Sequence, residues 1–179
     1  MNDQDGVRLM LEAFKEAEKG FLEGEVPVGA VMADENGRIL AKAHNQSVIL
    51  GDPTAHAEIL VIREAASVRR NYRLNGMTLV VTIEPCFMCA GAALNARIQR
   101  LIYGAHDLKA GALGSLYDLA ADRRLNHSLK VTSGVMEEEC ASLMREFFRI
   151  RRRKTAGREK GRRGTEVVVT GSTRNRLVP

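Results

Sequence analysis

The chain has 179 residues, 45% of them hydrophobic and 27% charged, which excludes a fibrous or largely disordered protein and fits one domain with its own core. No apolar run approaches the roughly 20 residues that cross a bilayer, and Asp3 and Asp5 stand where a secretory leader would be basic and apolar. We therefore expect a cytoplasmic protein without a membrane partner. The net charge of +5 is uneven, because residues 149–176 carry +9 and the rest of the chain carries −4.

Apolar spacing and turn residues predict the secondary structure. In chain order, the predicted elements are a helix over 6–22, strands over 28–33 and 38–44, a helix over 52–68, a strand over 77–83, a helix over 86–96, a strand over 99–104, a short helical stretch over 115–121, a strand over 129–135 and a helix over 137–153. Because strands alternate with helices, we expect a layered α/β domain with a mostly parallel sheet.

The sequence also predicts which residues lie at the end of the second strand and at the start of the second helix. An Asp-Glu-Asn-Gly turn makes the first two strands a hairpin, which delivers Asn45 to a strand end. Asp52 and Pro53 fit the N-cap and first position of the second helix, which places His56 in its first turns.

Residues 1–154 are predicted to form one domain. Residues 155–179, rich in Gly, Arg, Thr and Ser, are predicted to form a basic, disordered tail that either contacts a polyanion or is solvated.

Three residues match the donors that zinc prefers. His56 offers an imidazole nitrogen, and Cys86 and Cys89 offer two thiolates one helical turn apart. The chain has three cysteines, too few and odd in number for a disulfide framework, so these thiols need a chemical explanation. Three protein ligands leave one tetrahedral position for water, which is typical of a catalytic site. We predict one Zn2+ per subunit.

Glu58 is the predicted proton carrier. It follows His56 by two residues and lies on a different side of the helix, so it can share the pocket without ligating the metal. His-Ala-Glu, a gap of 26 residues and Pro-Cys-Phe-Met-Cys together form the signature of zinc-dependent nucleobase deaminases. Such an enzyme needs a group that takes a proton from water and delivers protons to the ring and to the departing ammonia.

Other interpretations of these residues remain open at this point. Cys86 and Cys89 could be a thioredoxin-like redox pair, although that chemistry has no use for the His-x-Glu element. A purely structural zinc could recruit a fourth ligand from His44, His106 or His127. His56 and Glu58 could be an ordinary helix start. Cys140 is expected to be a buried packing residue.

The resemblance extends beyond the metal site. From about residue 25 to residue 153 the chain resembles bacterial tRNA-specific adenosine deaminases, in the blocks Glu25-Val26-Pro27-Val28-Gly29-Ala30, Asn45, Asp52-Pro53-Thr54-Ala55-His56-Ala57-Glu58, Glu84-Pro85-Cys86-Phe87-Met88-Cys89-Ala90-Gly91-Ala92, Gly104-Ala105-His106-Asp107, Gly114-Ser115-Leu116, Asn126-His127 and Phe147-Phe148-Arg149. The resemblance implies a three-layer α/β/α cytidine-deaminase-like fold with a central five-stranded mixed sheet. It also implies a homodimer that converts the wobble adenosine of a tRNA anticodon stem-loop to inosine.

The resemblance also implies roles for individual residues. It makes His56, Cys86 and Cys89 the zinc ligands and Glu58 the catalytic acid and base. The implied substrate-binding residues are Asn45 and Ala57 at the flipped purine, Asp107 at the sugar and backbone, and Phe148 and Arg152 at the anticodon loop. Phe87 and His106 depart from the family pattern at the border of the expected pocket, where they would tune the nucleotide context.

Three alternative functions differ from this one in substrate or chemistry. A small-molecule deaminase acting on guanine or cytosine would share the zinc chemistry and needs no polyanion-binding surface, which the −4 charge of the chain body would suit. A cytidine-editing enzyme is disfavoured because the chain has no Trp and only 4% aromatic residues to stack bases. A non-catalytic RNA-binding module with structural zinc would release no ammonia from RNA.

Overall fold

The computed structural model describes the backbone of residues 3–163 and side chains from residue 4 to residue 154. Its elements, in chain order, are α1 Asp3–Glu23, β1 Gly29–Ala33, β2 Ile39–His44, α2 Ser47–Leu50, α3 Ala57–Arg69, β3 Thr78–Ile83, α4 Phe87–Asn95, β4 Arg100–Ala105, β5 Lys130–Thr132 and α5 Glu137–Arg163. None of the helices in this part of the chain is long and apolar enough to cross a membrane.

The five strands form one mixed sheet in the order β2-β1-β3-β4-β5. β1 is antiparallel to both of its neighbours, whereas β3, β4 and β5 run parallel. The predicted α/β class and the five-stranded mixed sheet are therefore confirmed. The expectation of a mostly parallel sheet is wrong, because the hairpin of β1 and β2 joins the sheet through β1 and adds two antiparallel pairs.

Helices cover both faces of this sheet. α1 packs across β1 to β4, while α3 and α4 pack together on the other face. All six residues of β3 are buried, as expected for a central strand between two layers. Gly29 permits the close approach of α1, because a Cβ at this position would lie 2.0 Å from the Ala13 carbonyl oxygen and 2.4 Å from the Ala17 nitrogen. The core therefore depends on a residue without a side chain at the start of β1.

A Gly29→Ala substitution should destabilise the protein by about 1 to 3 kcal/mol, the usual cost of overpacking a core, since backbone atoms of α1 must move. Urea unfolding measures this loss. Gly91→Ala is the matched control, because Gly91 lies inside α4 and a Cβ added there would meet no atom within 4 Å. The control should gain roughly 0.5 to 1 kcal/mol from helix propensity. Equal stability of the two variants would refute the packing argument.

The chain divides into two compact units. The first, residues 1–147, contains the sheet and the elements that carry the candidate metal ligands. The second begins at Phe148, and its described part is the remainder of α5, which continues to Arg163 where the sequence predicted an end near Arg153. Many residues in this extension are good helix formers, such as Ala, Arg, Lys and Glu. The predicted domain boundary at residue 154 stays a prediction, and residues 164–179 lie outside the described residues.

The predicted helix start at Asp52 is wrong. Asp52 Oδ1 accepts hydrogen bonds from the amide and the hydroxyl of Thr54, both at 2.7 Å, which closes a turn. α3 begins later, at Ala57, with His56 as an extended N-cap at φ −74° and ψ 149°. An Asp-Pro pair suits a turn as well as a helix start, so the local sequence does not distinguish them. The later start makes His56 the N-cap of α3, directly before its first residue.

The helical stretch predicted over residues 115–121 is also wrong. This segment forms turns, with an isolated bridge between Leu113 and Asp118. Gly114 adopts φ 136°, which no helix contains, and the amides of Leu113 and Ser115 donate to the side chain of Glu84. The buried carboxylate of Glu84 thus holds the start of this segment in a turn conformation.

Candidate metal centre and active site

Two helix starts bring the three predicted metal ligands together. His56 is the N-cap of α3, Cys86 is the N-cap of α4, and Cys89 lies in the first turn of α4. His56 Nδ1 is 3.7 Å from Cys86 Sγ and 3.5 Å from Cys89 Sγ. One ligand atom from each residue lies within 4.8 Å of the others. The geometry therefore matches the cluster expected from the sequence.

The electrostatics of the cluster favour a thiolate. The pKa of Cys86 is lowered to about 4, because Cys89 and His56 donate hydrogen bonds to its sulfur. The pKa of Cys89 is raised, because it donates to Cys86 and because it is buried. The pKa of His56 is raised by its hydrogen bond with Cys86. A divalent cation bound here would displace the proton that Cys89 donates to Cys86.

This donor set fits zinc, which prefers imidazole nitrogen and thiolate sulfur. Within the described side chains, the cluster has three members and does not include the other histidines. His44 contacts Glu16 and Glu23, and His127 Nε2 lies 2.6 Å from the Ile98 carbonyl oxygen. His106 Nδ1 lies beside the Tyr103 hydroxyl. A structural site closed by one of these histidines is therefore not formed in this structure.

Cys140, the remaining cysteine, is buried in α5, where it packs against Gly104. This agrees with the predicted packing role. A Cβ at Gly104 would lie 2.6 Å from Cys140 Sγ, so the two residues fit each other closely.

Glu58 lies in the first turn of α3 and is buried, with 3% of its surface exposed. Burial raises its pKa above the usual value of a carboxyl group. Among the described residues, none supplies a hydrogen-bond partner for Glu58 Oε2. A buried polar atom without a partner is costly and needs a functional reason. A polar ligand beside the metal cluster supplies that reason, and a raised pKa suits a group that both takes and gives protons.

Asn45 and Ala57 lie at the metal-bearing end of α3. Asn45 directly follows β2, as predicted, and is buried. Its side-chain oxygen accepts a hydrogen bond of 2.9 Å from the Ala57 amide. This bond fixes the orientation of the Asn45 side chain and directs its NH2 group away from Ala57. It also means that the Ala57 amide is engaged with Asn45.

The remaining predicted substrate residues are Asp107, in the loop after β4, and Phe148 and Arg152, in α5. Asp107 follows β4, and its Oδ1 accepts hydrogen bonds from the Lys109 and Ala110 amides at 2.9 and 3.2 Å. Asp107 thus organises its own loop, a role that the sequence did not reveal. Phe148 and Arg152 are exposed residues of the second unit, so the structure does not relate them to the metal cluster.

Two buried carboxylates that accept backbone amides were not identified from the sequence. Glu25 Oε1 accepts hydrogen bonds of 2.8 Å from the amides of Val48 and Ile49 at the start of α2. Glu84, at the end of β3, accepts hydrogen bonds from the loop that follows β4. Glu84 directly precedes the Pro-Cys motif, and an acidic residue at the end of a strand buried on both faces was the available signal.

Apolar side chains are exposed beside the metal cluster. Phe87 and Met88 lie between the two cysteines, with 57% and 36% of their surface exposed. The Phe87 ring meets the Tyr117 ring edge-on at 5.7 Å, and Tyr117 is itself 60% exposed. These exposed apolar side chains are therefore available for contact with a ligand or a partner.

Comparison with known proteins gives consistent matches. Residues 3–105 match the family model described as the cytidine and deoxycytidylate deaminase zinc-binding region. The chain is 48% identical over 145 residues to a tRNA-specific adenosine deaminase of Haemophilus influenzae, covering 81% of this chain and 84% of that protein. It is 48% identical over 151 residues to a tRNA-specific adenosine deaminase of Bacillus subtilis, covering 84% and 93%.

A solved structure agrees with the sequence matches. A protein studied for A-to-I editing by tRNA:A34 deaminases at the wobble position of transfer RNA superimposes with a TM-score of 0.73. It is 43% identical in sequence, and the match covers 76% of this chain and 98% of that one.

Proposed function

Because the chain belongs to the zinc-binding cytidine and deoxycytidylate deaminase family and, within it, to the tRNA-specific adenosine deaminases, we propose that it converts the wobble adenosine of a tRNA anticodon loop to inosine. The observation that carries this proposal is the meeting of His56, Cys86 and Cys89 next to Glu58, whose Oε2 finds no partner among the described residues. His56, Cys86 and Cys89 are the proposed zinc ligands.

The proposed reaction is a hydrolysis. The oxygen of water bonds to C6 of adenine, the bond from C6 to the exocyclic nitrogen breaks, and ammonia leaves. When bound, zinc supplies the Lewis acidity that makes water nucleophilic at neutral pH. Glu58 takes one proton from the attacking water and delivers it to the ring nitrogen N1. It then takes the proton of the new C6 hydroxyl and delivers it to the departing amine, so that C6 becomes a carbonyl as ammonia leaves. Its burial supports this role, because a raised pKa lets the carboxyl group hold the proton between the two transfers.

The proposed substrate is the tRNA anticodon stem-loop. An enzyme of this kind cannot reach a stacked base, and the nucleotides of an RNA loop can be splayed out. Asn45 and Ala57 are proposed to bind the flipped purine, Asp107 the adjacent sugar and backbone, and Phe148 and Arg152 the anticodon loop. The hydrogen bond between Asn45 and Ala57 supports the first assignment, because it gives the Asn45 amide one orientation. Contact of the basic tail with RNA stays a prediction.

We further propose that the enzyme is a homodimer in the cytoplasm. The exposed side chains of Phe87, Met88 and Tyr117 support a second subunit at the mouth of the site, since a group of exposed apolar residues is typical of interfaces. Light scattering on the full chain tests the dimer. A mass equal to one chain at micromolar concentration would contradict it. A tRNA substrate supports the cytoplasmic location.

The function is tested by incubating the zinc-loaded chain with a tRNA that carries adenosine at the wobble position, and with free guanine and free cytosine. We expect inosine at the wobble position and negligible release of ammonia from the free bases. The same tRNA with guanosine at that position is the control. Ammonia from guanine or cytosine without inosine in the tRNA would establish the small-molecule alternative instead.

A further inference from the structure

We propose that Glu84 is a positioning residue for RNA binding, because its buried carboxylate fixes the loop of residues 106–115 beside the metal cluster. This inference rests on the proposed function for the identity of the ligand. Glu84 is neither a metal ligand in the cluster nor a part of the proton transfer. It acts through the loop, which carries His106 and Asp107.

Both carboxylate oxygens of Glu84 are used to hold this loop. Oε1 accepts hydrogen bonds of 3.0 Å from the amides of Leu113 and Ser115. Oε2 accepts a hydrogen bond of 3.1 Å from the Asp107 amide and another from the Ser115 hydroxyl. The Glu84 side chain has no exposed surface, so these bonds do not compete with water. One carboxylate therefore fixes the loop near both of its ends.

The loop is also attached to the backbone that carries the metal ligands. The Ala112 amide donates to the Pro85 carbonyl oxygen at 2.9 Å, and Gly111 forms a bridge with Cys86. Gly111 allows this approach, because a Cβ there would lie 2.4 Å from the Glu84 carboxyl carbon and 2.6 Å from the Asp107 carbonyl oxygen. The position of the loop relative to the reacting base is thus set by Glu84 and by contacts directly beside it.

The loop presents His106 at the edge of the site. His106 Nδ1 lies 3.4 Å from Glu84 Oε2 and 3.2 Å from the Tyr103 hydroxyl. Its ring meets the Tyr103 ring edge-on at 5.2 Å, while 41% of the side chain is exposed. The Nδ1 edge of the His106 ring therefore contacts the protein, and the rest of the ring is exposed to solvent. An imidazole in this arrangement suits the sugar-phosphate or base edge of a nucleotide next to the target.

A glutamine cannot replace Glu84 in this role. Four donors converge on the two carboxylate oxygens, and the NH2 group of glutamine would face donors at one of the two positions. At least one end of the loop would lose its anchor while the shape of the side chain stays the same. The metal cluster contains no atom of Glu84, so zinc binding should not change.

The test compares Glu84→Gln with the wild type as zinc-loaded full chains. We expect KM for the anticodon stem-loop to rise about tenfold or more, because one lost hydrogen bond to a charged group corresponds to about a decade in an equilibrium. We expect kcat to change by less than about threefold, since the proton carrier is intact. Hydrogen exchange at the Asp107, Leu113 and Ser115 amides should accelerate. Zinc content should stay at one per chain.

Glu16→Gln is the matched control, because Glu16 is also a buried carboxylate with side-chain hydrogen bonds, to Lys19 and His44, but lies in α1. It should leave KM, kcat and loop exchange unchanged. If Glu84→Gln does not fold, Ser115→Ala removes one donor at the same carboxylate and should shift KM and exchange in the same direction to a smaller extent.

Unchanged KM and unchanged loop exchange in Glu84→Gln, or in Ser115→Ala, would overturn the proposal. Loss of zinc from Glu84→Gln would also overturn it, because the carboxylate would then act on the metal cluster. If the wild type made no inosine, the proposed function would fail, while the exchange rates would still decide whether Glu84 fixes the loop.

Discussion

Replacing Glu58 by glutamine is expected to lower kcat by a factor of about 10² to 10⁴, the usual contribution of a group that transfers protons in the transition state. Glutamine keeps the shape of the side chain but cannot take a proton from water. Zinc content should remain at one per chain, because the metal cluster consists of His56, Cys86 and Cys89. The fold should remain as well, since the substitution removes a carboxyl group that is buried without a partner for Oε2 among the described residues.

The measurement is single-turnover formation of inosine in a wobble-adenosine tRNA, together with zinc analysis and the melting temperature. Glu64→Gln is the matched control, because Glu64 lies in the same helix and is exposed. It should retain full activity. Wild-type activity in Glu58→Gln would remove the proposed proton carrier, and loss of zinc from this variant would make Glu58 a part of the metal site.

Replacing Cys89 by alanine is expected to remove zinc and with it both activity and stability. Cys89 is buried and lies 3.5 Å from His56 Nδ1, so its loss leaves His56 and Cys86 as the two remaining members of the cluster. Metal that binds only the folded state stabilises it by about 4 kcal/mol at a free concentration of roughly 1,000 Kd. Cys89→Ala should lose most of that stabilisation.

Zinc per chain by elemental analysis and unfolding in urea with and without chelator measure these two effects. Cys140→Ala is the matched control, because Cys140 is also a buried cysteine but packs in α5 against Gly104. It should keep zinc and lose only the stability that its packing provides. Wild-type zinc content in Cys89→Ala would contradict the ligand assignment.

The metal cluster could be predicted from the sequence because its ligands and the proton carrier lie in two short sequence motifs. His56 and Glu58 lie on one helix start, and Cys86 and Cys89 lie on another, so each pair is fixed by local structure. Only the meeting of the two pairs needed the tertiary fold, and the strand and the body of the helix between them were predicted, although the helix start was placed too early. The resemblance to a known family supplied the mixed sheet that alternation alone did not predict.

The roles of the buried carboxylates Glu84 and Glu25 could not be predicted, because they depend on contacts between residues far apart in sequence. Glu84 accepts hydrogen bonds from the amides of Leu113 and Ser115, about 30 residues further along the chain, so the turns of this loop depend on a contact that the local sequence does not contain. Glu25 similarly stabilises α2 through the amides of Val48 and Ile49. A buried carboxylate that accepts backbone amides leaves no periodic signal in the sequence.

The start of α3 after His56 was likewise not predicted from the local sequence. Asp52 and Pro53 carry the residue types of a helix N-terminus, yet the hydrogen bonds to Thr54 close a turn before the helix. Asp-Pro is compatible with both local structures, so the residues themselves do not decide between them. The predicted helix therefore began too early, while the imidazole was still assigned to the correct helix end.

Zinc K-edge X-ray absorption on the purified full chain tests the central claim most directly. We predict one zinc per chain with two sulfur neighbours at about 2.3 Å, one imidazole nitrogen at about 2.0 Å and one further oxygen neighbour that is not a protein side chain. A third sulfur, a second imidazole or a carboxylate that completes the coordination would contradict an open site at His56, Cys86 and Cys89.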